Sequence, residues 1–396
     1  MTDVVAAKIA QVLAGREAED SFFIFNPRAL REQYDLWKTH LPEVTPHYAV
    51  KCNNHGEILA RLVQWGAHFD CASANEIQLV EAAGGTPDRI VYANPVKAPT
   101  QLRYAAAQGV RRMTFDNLAE LDKIKAIAPD SEVLLRIQTD DSAAICSLSC
   151  KFGASLLQTE DLLRRAQELG LKVVGVAYHV GSGGGTGPQA HHDALRDARQ
   201  VFTTAQKFGH TLSVLDVGGG FEASAAEFVP VAAEIRRSLA ALDFPAGTSV
   251  MGEPGRFFAA TCMTLVANVT GVRAAPTPAE ADMAYLSDGV YGNLNCIIYD
   301  HQHPKAFLVG EPAVEPAVEP NDGPNDHPND GPADGLARAS LWGPTCDGLD
   351  TIDSGARFPR RLRPGDWLYF PNTGAYTQVG ESAFNGFNTN TQIYTA

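Results

Sequence analysis

Residues 47–82 read HYAVKCNNHGEILARLVQWGAHFDCASANEIQLVEA. A short β-branched and aromatic run, His47 to Lys51, leads into an amphipathic helical pattern that stops at Gly66, and the same pair of patterns starts again at His68. Gly directly after the last periodic residue is an ordinary helix stop, because it takes the left-handed conformation without a Cβ penalty. Outward from this stretch the rhythm persists to Gly255. Its eight runs are His47–Lys51, His68–Ser73, Arg89–Asn94, Arg112–Asp116, Val133–Gln138, Val173–Val180, Leu212–Gly218 and Ser249–Glu253, with helical patterns such as PTQLRYAAAQG and EDLLRRAQELG between them. Eight strand-helix repeats over about 210 residues fit an α/β fold, a (β/α)8 TIM barrel over residues 27–255, better than the open Rossmann-like sheet that the glycine-rich VGGGF also suits.

After Arg256 the helical rhythm ends. MTLVANVTGVR, MAYLSDG, ASLWGP and DWLYFPN are short, alternating and bounded by Gly, Pro, Asn or Asp, the pattern of antiparallel strands. SFFIFN (Ser21–Asn26) has the same character, so a second, antiparallel β-domain is expected from residues 256–396 with residues 1–26, including this N-terminal strand. Inside it, residues 311–335 read EPAVEPAVEPNDGPNDHPNDGPADG, with proline at every fourth position from Pro312 to Pro332 and no apolar face. An acidic, polyproline-biased surface loop is expected there, with docking of a partner as its functional alternative.

That loop holds seven acids and no Lys or Arg, half of the net charge of −14 carried by the 396 residues. The rest of the chain is only mildly acidic. The overall sign still disfavours phosphate backbones and anionic lipid, so no nucleic-acid or membrane partner is expected. With 45% hydrophobic and 20% charged residues, a disordered or fibrous chain is excluded. The opening MTDVVAAKIAQVLAGREAED is broken by charges and does not read as a signal peptide, and no window reaches the roughly 18 apolar residues of a membrane span. Cys52, Cys71, Cys146, Cys150, Cys262, Cys296 and Cys346 form no CxxC pair, so reduced thiols in the cytoplasm are expected. Adjacent His191 and His192 face different sides of a helix, and no metal site is expected.

In a barrel of this kind the C-terminal ends of the strands converge on one mouth. The runs deliver there Lys51, then Asp70 and Ser73, then Arg136, then His179 followed by Gly181-Ser182-Gly183-Gly184, then Gly218-Gly219-Gly220, and last Glu253 with Gly255 and Arg256. Singly these are a solvated lysine, a core histidine, tight turns and a structural ion pair. Jointly they are more. A lysine partly desolvated beside another cation has a lowered pKa and forms a Schiff base with a carbonyl. Glycine turns and Arg256 present N–H groups and a cation to a phosphate. Pyridoxal 5'-phosphate requires this set, together with a carboxylate, Glu253, that keeps its ring nitrogen protonated through a charge-assisted hydrogen bond worth about 1.5–3 kcal/mol.

The motifs PHYAVKCNN, FDCASANEIQLV, YANPVK, LSCKFGA, HVGSG, VGGGF, EPGRFF, GVYGNLNCIIYDH, WGPTCDGLD, GDWLYF, GAYT and FNGF occur in this order from about Phe22 onward. They resemble the eukaryotic-type ornithine decarboxylases, a pyridoxal-phosphate family with the alanine-racemase-like fold. The resemblance implies that Lys51 is the Schiff-base lysine, Glu253 the ring-nitrogen partner and His179 the residue stacked on the ring. It implies that Ser182, Gly219, Gly220, Gly255, Arg256 and Tyr376 hold the phosphate, and that Asp70 and Arg136 orient the lysine and cofactor. It further implies a homodimer in which Cys346 and Asp347 of the partner subunit complete each site, with Lys151 and Asp350 paired across the interface. Cys346 would return a proton to Cα, a task that suits a thiol with its ordinary pKa of about 8.5. Asp300 and Asp347 would accept the distal amine of the substrate, with Tyr291, Tyr299 and Phe384 beside it.

The implied reaction is conversion of L-ornithine to putrescine and CO2, a step of polyamine biosynthesis. Two alternatives stand beside it. One is decarboxylation of lysine or arginine on the same scaffold; an extra methylene is discriminated by only about 1–3 kcal/mol, though arginine-preferring relatives carry a longer acid at the position of Asp300. The other is a non-catalytic regulator of the antizyme-inhibitor type, against which the presence of Lys51, Asp70, Arg136, Gly220, Arg256 and Asp347 argues. The chain ends soon after FNGF, so the degradation tail of animal relatives is not expected, while antizyme binding stays open.

Overall fold

The computed structural model describes residues 1–183, 187–277, 280–313, 335–387, 389 and 391–396. Two compact units make up the chain, residues 30–259 and residues 1–29 with 260–396. The first strand, β1 (Phe22–Phe25), belongs to the second of these units. The next eight strands are β2 (Val44–Ala49), β3 (His68–Cys71), β4 (Ile90–Tyr92), β5 (Arg112–Phe115), β6 (Glu132–Arg136), β7 (Lys172–Ala177), β8 (Val214–Asp216) and β9 (Ser249–Gly252). All pair in parallel, and β9 returns to β2, closing the barrel and excluding the open sheet.

The strands are short and nearly all buried because barrel strands are covered on both faces. Val91, Leu134, Val174, Val214 and Met251 cluster on one core. The helices between them begin and end where their sequences dictate. Ser73 and Asn117 accept the N–H of Glu76 and Glu120 to cap helices Ala74–Ala82 and Leu118–Ile127, a contact worth about 1 kcal/mol each. Helix Gly56–Trp65 ends at Gly66 with φ +89°, whose N–H bonds Leu62 O.

The second unit holds β10 (Met263–Arg273), β11 (Asp282–Leu286), β12 (Phe307–Leu308), β13 (Ala337–Trp342), β14 (Thr351–Phe358), β15 (Trp367–Phe370) and β16 (Gln392–Thr395). The sheet runs β12-β15-β10-β11-β13-β14, with β1 antiparallel to β10, as the SFFIFN run leads one to expect. It is mostly antiparallel, but β1 with β16 and β11 with β13 run parallel. The stretch from 287 to 336 is long enough for the crossover that the β11–β13 pair needs. Helix Asp3–Ala14, not anticipated from the sequence, places Val5 and Ile9 on the core of this unit with Phe22, Ile24, Val266 and Tyr369. Most of the acidic proline-rich segment, residues 314–334, lies outside the described residues. Among the described residues no helix is long and apolar enough to cross a membrane.

One feature of the barrel wall is acid-sensitive. His47 on β2 sits opposite His68 on β3 with ring centroids 4.8 Å apart, and its Nδ1 lies 3.2 Å from Thr45 O. Burial first, then the His68 and Arg112 charges, lower its pKa to about 3. Between pH 6.5 and 3 the unfolded chain therefore binds a proton that the folded chain does not, and stability falls as the pH drops through this window. Over the whole window this single group accounts for on the order of 4 kcal/mol. His47→Gln keeps a donor for Thr45 and removes the titration. The loss of melting temperature between pH 7 and pH 5 should shrink by about 4 °C in this variant; equal losses in both proteins would refute the assignment.

Candidate active site

Strand β2 stops at Ala49 and Val50–Cys52 form a 3-10 turn, so Lys51 is carried off the strand end that the sequence suggested and stands half exposed. Its Nζ pairs with the carboxylate of Asp70, which is buried on β3. Asp70 Oδ1, and Nε of the buried Arg136 at the end of β6, have no hydrogen-bond partner among the described residues. A buried polar atom left unpaired costs about 1–3 kcal/mol, and a polar ligand at the mouth would offset that cost for both residues.

His179 follows β7 and is buried. Its Nδ1 accepts the N–H of Gly181 at 3.1 Å, which leaves the ring hydrogen on Nε2. Burial, then the charges of Arg136 and Lys51, hold its pKa well below the usual imidazole value. The ring is thus neutral. Beside it runs the turn Gly218-Gly219-Gly220. A Cβ on Gly219 would stand 2.7 Å from His179 Nε2 and 2.9 Å from Glu253 O, and one on Gly220 (φ +91°) 2.6 Å from Gly181 O. The turn accepts no side chain, so its surface is bare backbone, the form of a phosphate cradle.

The other glycine turn differs from expectation. The N–H of Ser182 donates to Cys146 O at 3.1 Å and that of Gly181 to His179, so this turn offers a hydroxyl rather than these backbone donors. Gly255 opens the short helix Arg256–Ala259, its carbonyl accepting from Phe258 and Ala259, and Arg256 is buried with Nε 3.8 Å from Glu222.

Glu253 lies just past β9, its N–H donating to Gly218 O at 2.6 Å. Burial, then the charges of Asp216 and Asp70, raise its carboxyl pKa well above the usual range. Asp216 at the end of β8 was not singled out from the sequence, although an acid interrupting the apolar run LSVLDVG was the available signal. It is fully buried, accepts the N–H of Gly218 at 2.9 Å, and burial pushes its pKa up to about 6.

The remaining expected site residues lie in the second unit. Tyr291 stacks on Phe384 with centroids 4.3 Å apart and donates its hydroxyl to Asp347 at 2.5 Å. That bond pushes the Tyr291 pKa up to about 12, while the Leu349 N–H and then Tyr291 lower that of Asp347. Cys346 is exposed, its N–H donating to Asn385 Oδ1 at 3.0 Å. Asp300 is buried after the short helix Cys296–Tyr299, Tyr299 is exposed, and Tyr376 has φ +53°.

The Asp350 carboxylate is buried within its own chain and accepts from Val290 N at 2.8 Å, Thr345 N at 3.0 Å and Thr345 Oγ1 at 2.7 Å, so it ties the WGPTCDGLD loop. Lys151 is exposed, with Nζ 5.0 Å from the Phe152 ring centre.

The barrel mouth fits pyridoxal phosphate. Lys51 presents an amine that could tie it, the glycine turn with Ser182 and Arg256 could seat its phosphate, and His179 offers a neutral ring, Glu253 a buried carboxyl, and Asp70 and Arg136 unpaired polar atoms. Fold and site together define a pyridoxal-phosphate enzyme of the barrel type. The chain belongs to the pyridoxal-dependent decarboxylases, whose pyridoxal binding domain matches residues 28–260. It is 45% identical over 375 residues to the ornithine decarboxylase of Schizosaccharomyces pombe, covering 95% of this chain and 83% of that one. An antizyme inhibitor 2 of Xenopus laevis is 40% identical over 394 residues, 96% of this chain and 82% of that protein. Among solved structures, the arginine decarboxylase of Paramecium bursaria Chlorella virus superposes with a TM-score of 0.88 at 33% identity, over 99% of this chain and 100% of the other.

Proposed function

We propose that the chain is a pyridoxal-phosphate-dependent decarboxylase that converts L-ornithine to putrescine and CO2. What supports this reading is the grouping of Lys51, Asp70, Arg136, His179 and Glu253 with a bare glycine turn at one barrel mouth, in a chain 45% identical over 375 residues to an ornithine decarboxylase. When bound, pyridoxal phosphate supplies an electrophilic carbonyl carbon and a protonated ring that accepts the electron pair left by departing CO2. Lys51 Nζ ties the cofactor, with Asp70 holding that amine at the mouth. Ser182, Gly219, Gly220, Gly255, Arg256 and Tyr376 hold the phosphate. Glu253 holds a proton at the ring nitrogen, and Arg136 and His179 set the cofactor's orientation, His179 without adding charge.

Substrate is held by its distal ammonium. Asp300 and Asp347 are the acceptors, Asp347 aimed by the Tyr291 hydroxyl while Phe384 and Tyr299 flank the methylenes. After CO2 has left, Cys346 Sγ delivers a proton to Cα. The working unit in this reading is a cytoplasmic homodimer in which Cys346 of the partner subunit and Asp347 of the partner subunit complete each mouth.

CO2 release measured from ornithine, lysine and arginine in parallel tests the substrate. Ornithine is expected to exceed lysine in kcat/KM by at least about tenfold, the effect of one methylene, with arginine lower still. A preference for arginine would overturn the substrate assignment, and cofactor binding without CO2 release from any of the three would favour the antizyme-inhibitor type.

A further inference from the structure

Asp216 and Glu253 end adjacent barrel strands, β8 and β9, and both side chains are buried. Their contacts run in two directions. Asp216 Oδ1 accepts the N–H of Gly218, the first residue of the glycine turn, and Gly218 O in turn accepts the N–H of Glu253. Asp216 Oδ2 meets no N–H or hydroxyl donor among the described residues, and the Glu253 carboxyl lies within hydrogen-bonding reach of the Asp216 side chain. Two ionised carboxylates offer each other no donor, whereas one shared proton satisfies both.

We infer that Asp216 is a positioning residue for the reaction, fixing the glycine turn through one oxygen and holding the proton of Glu253 in place through the other. This rests on the cofactor reading above, in which the turn seats the phosphate and Glu253 faces the ring nitrogen. One fully buried side chain then sets both ends of the cofactor seat. The charges facing the pair are Asp70 from β3, Arg136 from β6 and Lys51. Burial, then the charges of Asp216 and Asp70, favours the protonated form of Glu253, and burial also raises Asp216, so the pair holds one proton between its carboxyls. The single negative charge left on the pair favours a proton on the ring nitrogen that the outer oxygen of Glu253 faces.

Asp216→Asn keeps an acceptor for Gly218 and removes the charge. Cofactor affinity, read by fluorescence titration of cofactor-free protein, is expected to fall about tenfold, while the melting temperature of the cofactor-free protein at pH 7 is retained. In a Glu253→Gln background the same substitution should change affinity by less than about twofold, because the effect passes through Glu253. Glu253→Gln alone supplies a donor to Asp216 that does not titrate. Its cofactor-free form should therefore lose less melting temperature than wild type as the pH rises from 6 to 9, since raised carboxyl pKa values stabilise the fold below the shifted pKa and that contribution is lost as pH rises through it. This second arm decides the point if Asp216→Asn does not fold. Wild-type affinity in Asp216→Asn, an undiminished effect in the Glu253→Gln background, or identical pH profiles for Glu253→Gln and wild type would each overturn the inference. Failure of the wild-type chain to bind pyridoxal phosphate would instead overturn the cofactor reading.

Discussion

Lys51→Ala is expected to reduce kcat for CO2 release from ornithine by at least about 10³-fold, the scale of losing a group that acts covalently. Asp70, which pairs with the amine, is an acceptor and cannot take its place as a nucleophile. Borohydride should fix pyridoxal phosphate to the wild-type chain and leave the variant unlabelled. Cys346→Ala should also be nearly inactive, yet keep the borohydride labelling. Co-expressed, the two variants should recover about a quarter of wild-type turnover, since half of randomly assorted dimers are mixed and each of those contains one mouth with both residues intact. Wild-type turnover by Lys51→Ala would refute its role, and absence of recovery in the co-expressed pair would refute a site completed by a second copy.

Gly219→Ala is expected to weaken cofactor binding by roughly 10- to 100-fold. The added methyl meets His179 Nε2 at 2.7 Å and the carbonyl of Glu253 at 2.9 Å, and neither neighbour is free to withdraw. His179 is held by Gly181, and the Glu253 backbone is hydrogen-bonded to Gly218. Forcing a methylene into a filled space costs about 1–3 kcal/mol, which at the cofactor seat appears as lost affinity. Equilibrium dialysis against pyridoxal phosphate measures it directly. A substitution of the same size at Gly15, where a Cβ meets nothing within 4 Å, should leave the affinity unchanged. Equal affinity in Gly219→Ala and wild type would remove the turn from the cofactor seat.

The barrel was readable because strand and helix alternate with clear punctuation, as in the run from His47 through the helix that stops at Gly66. The N-terminal helix was not, because Val5, Ile9 and Val12 are diluted by alanines and lie outside the repeating rhythm. At the site, residues of unusual chemistry at strand ends announced themselves, Lys51, His179 and Glu253 among them. Asp216 did not, since an acid before a glycine turn looks like an ordinary turn residue until its burial is known. Tyr291 and Asp347 are 56 positions apart and no local pattern joins them, so only the family motifs pointed to both. Asp350 illustrates what a motif leaves open. A motif carries a residue's identity, but whether its carboxylate points out or in depends on packing around Gly289 and Gly343, whose Cβ positions are filled by Asp350 itself.

Because Asp350 fastens the loop that carries Cys346 and Asp347 from within, that loop has its shape before any second copy arrives. Ordering a loop on association costs about 0.5–1.5 kcal/mol for each side chain immobilised, and here that entropy is already lost when the single chain folds. In the homodimer proposed above, association would therefore carry no added cost for ordering this loop.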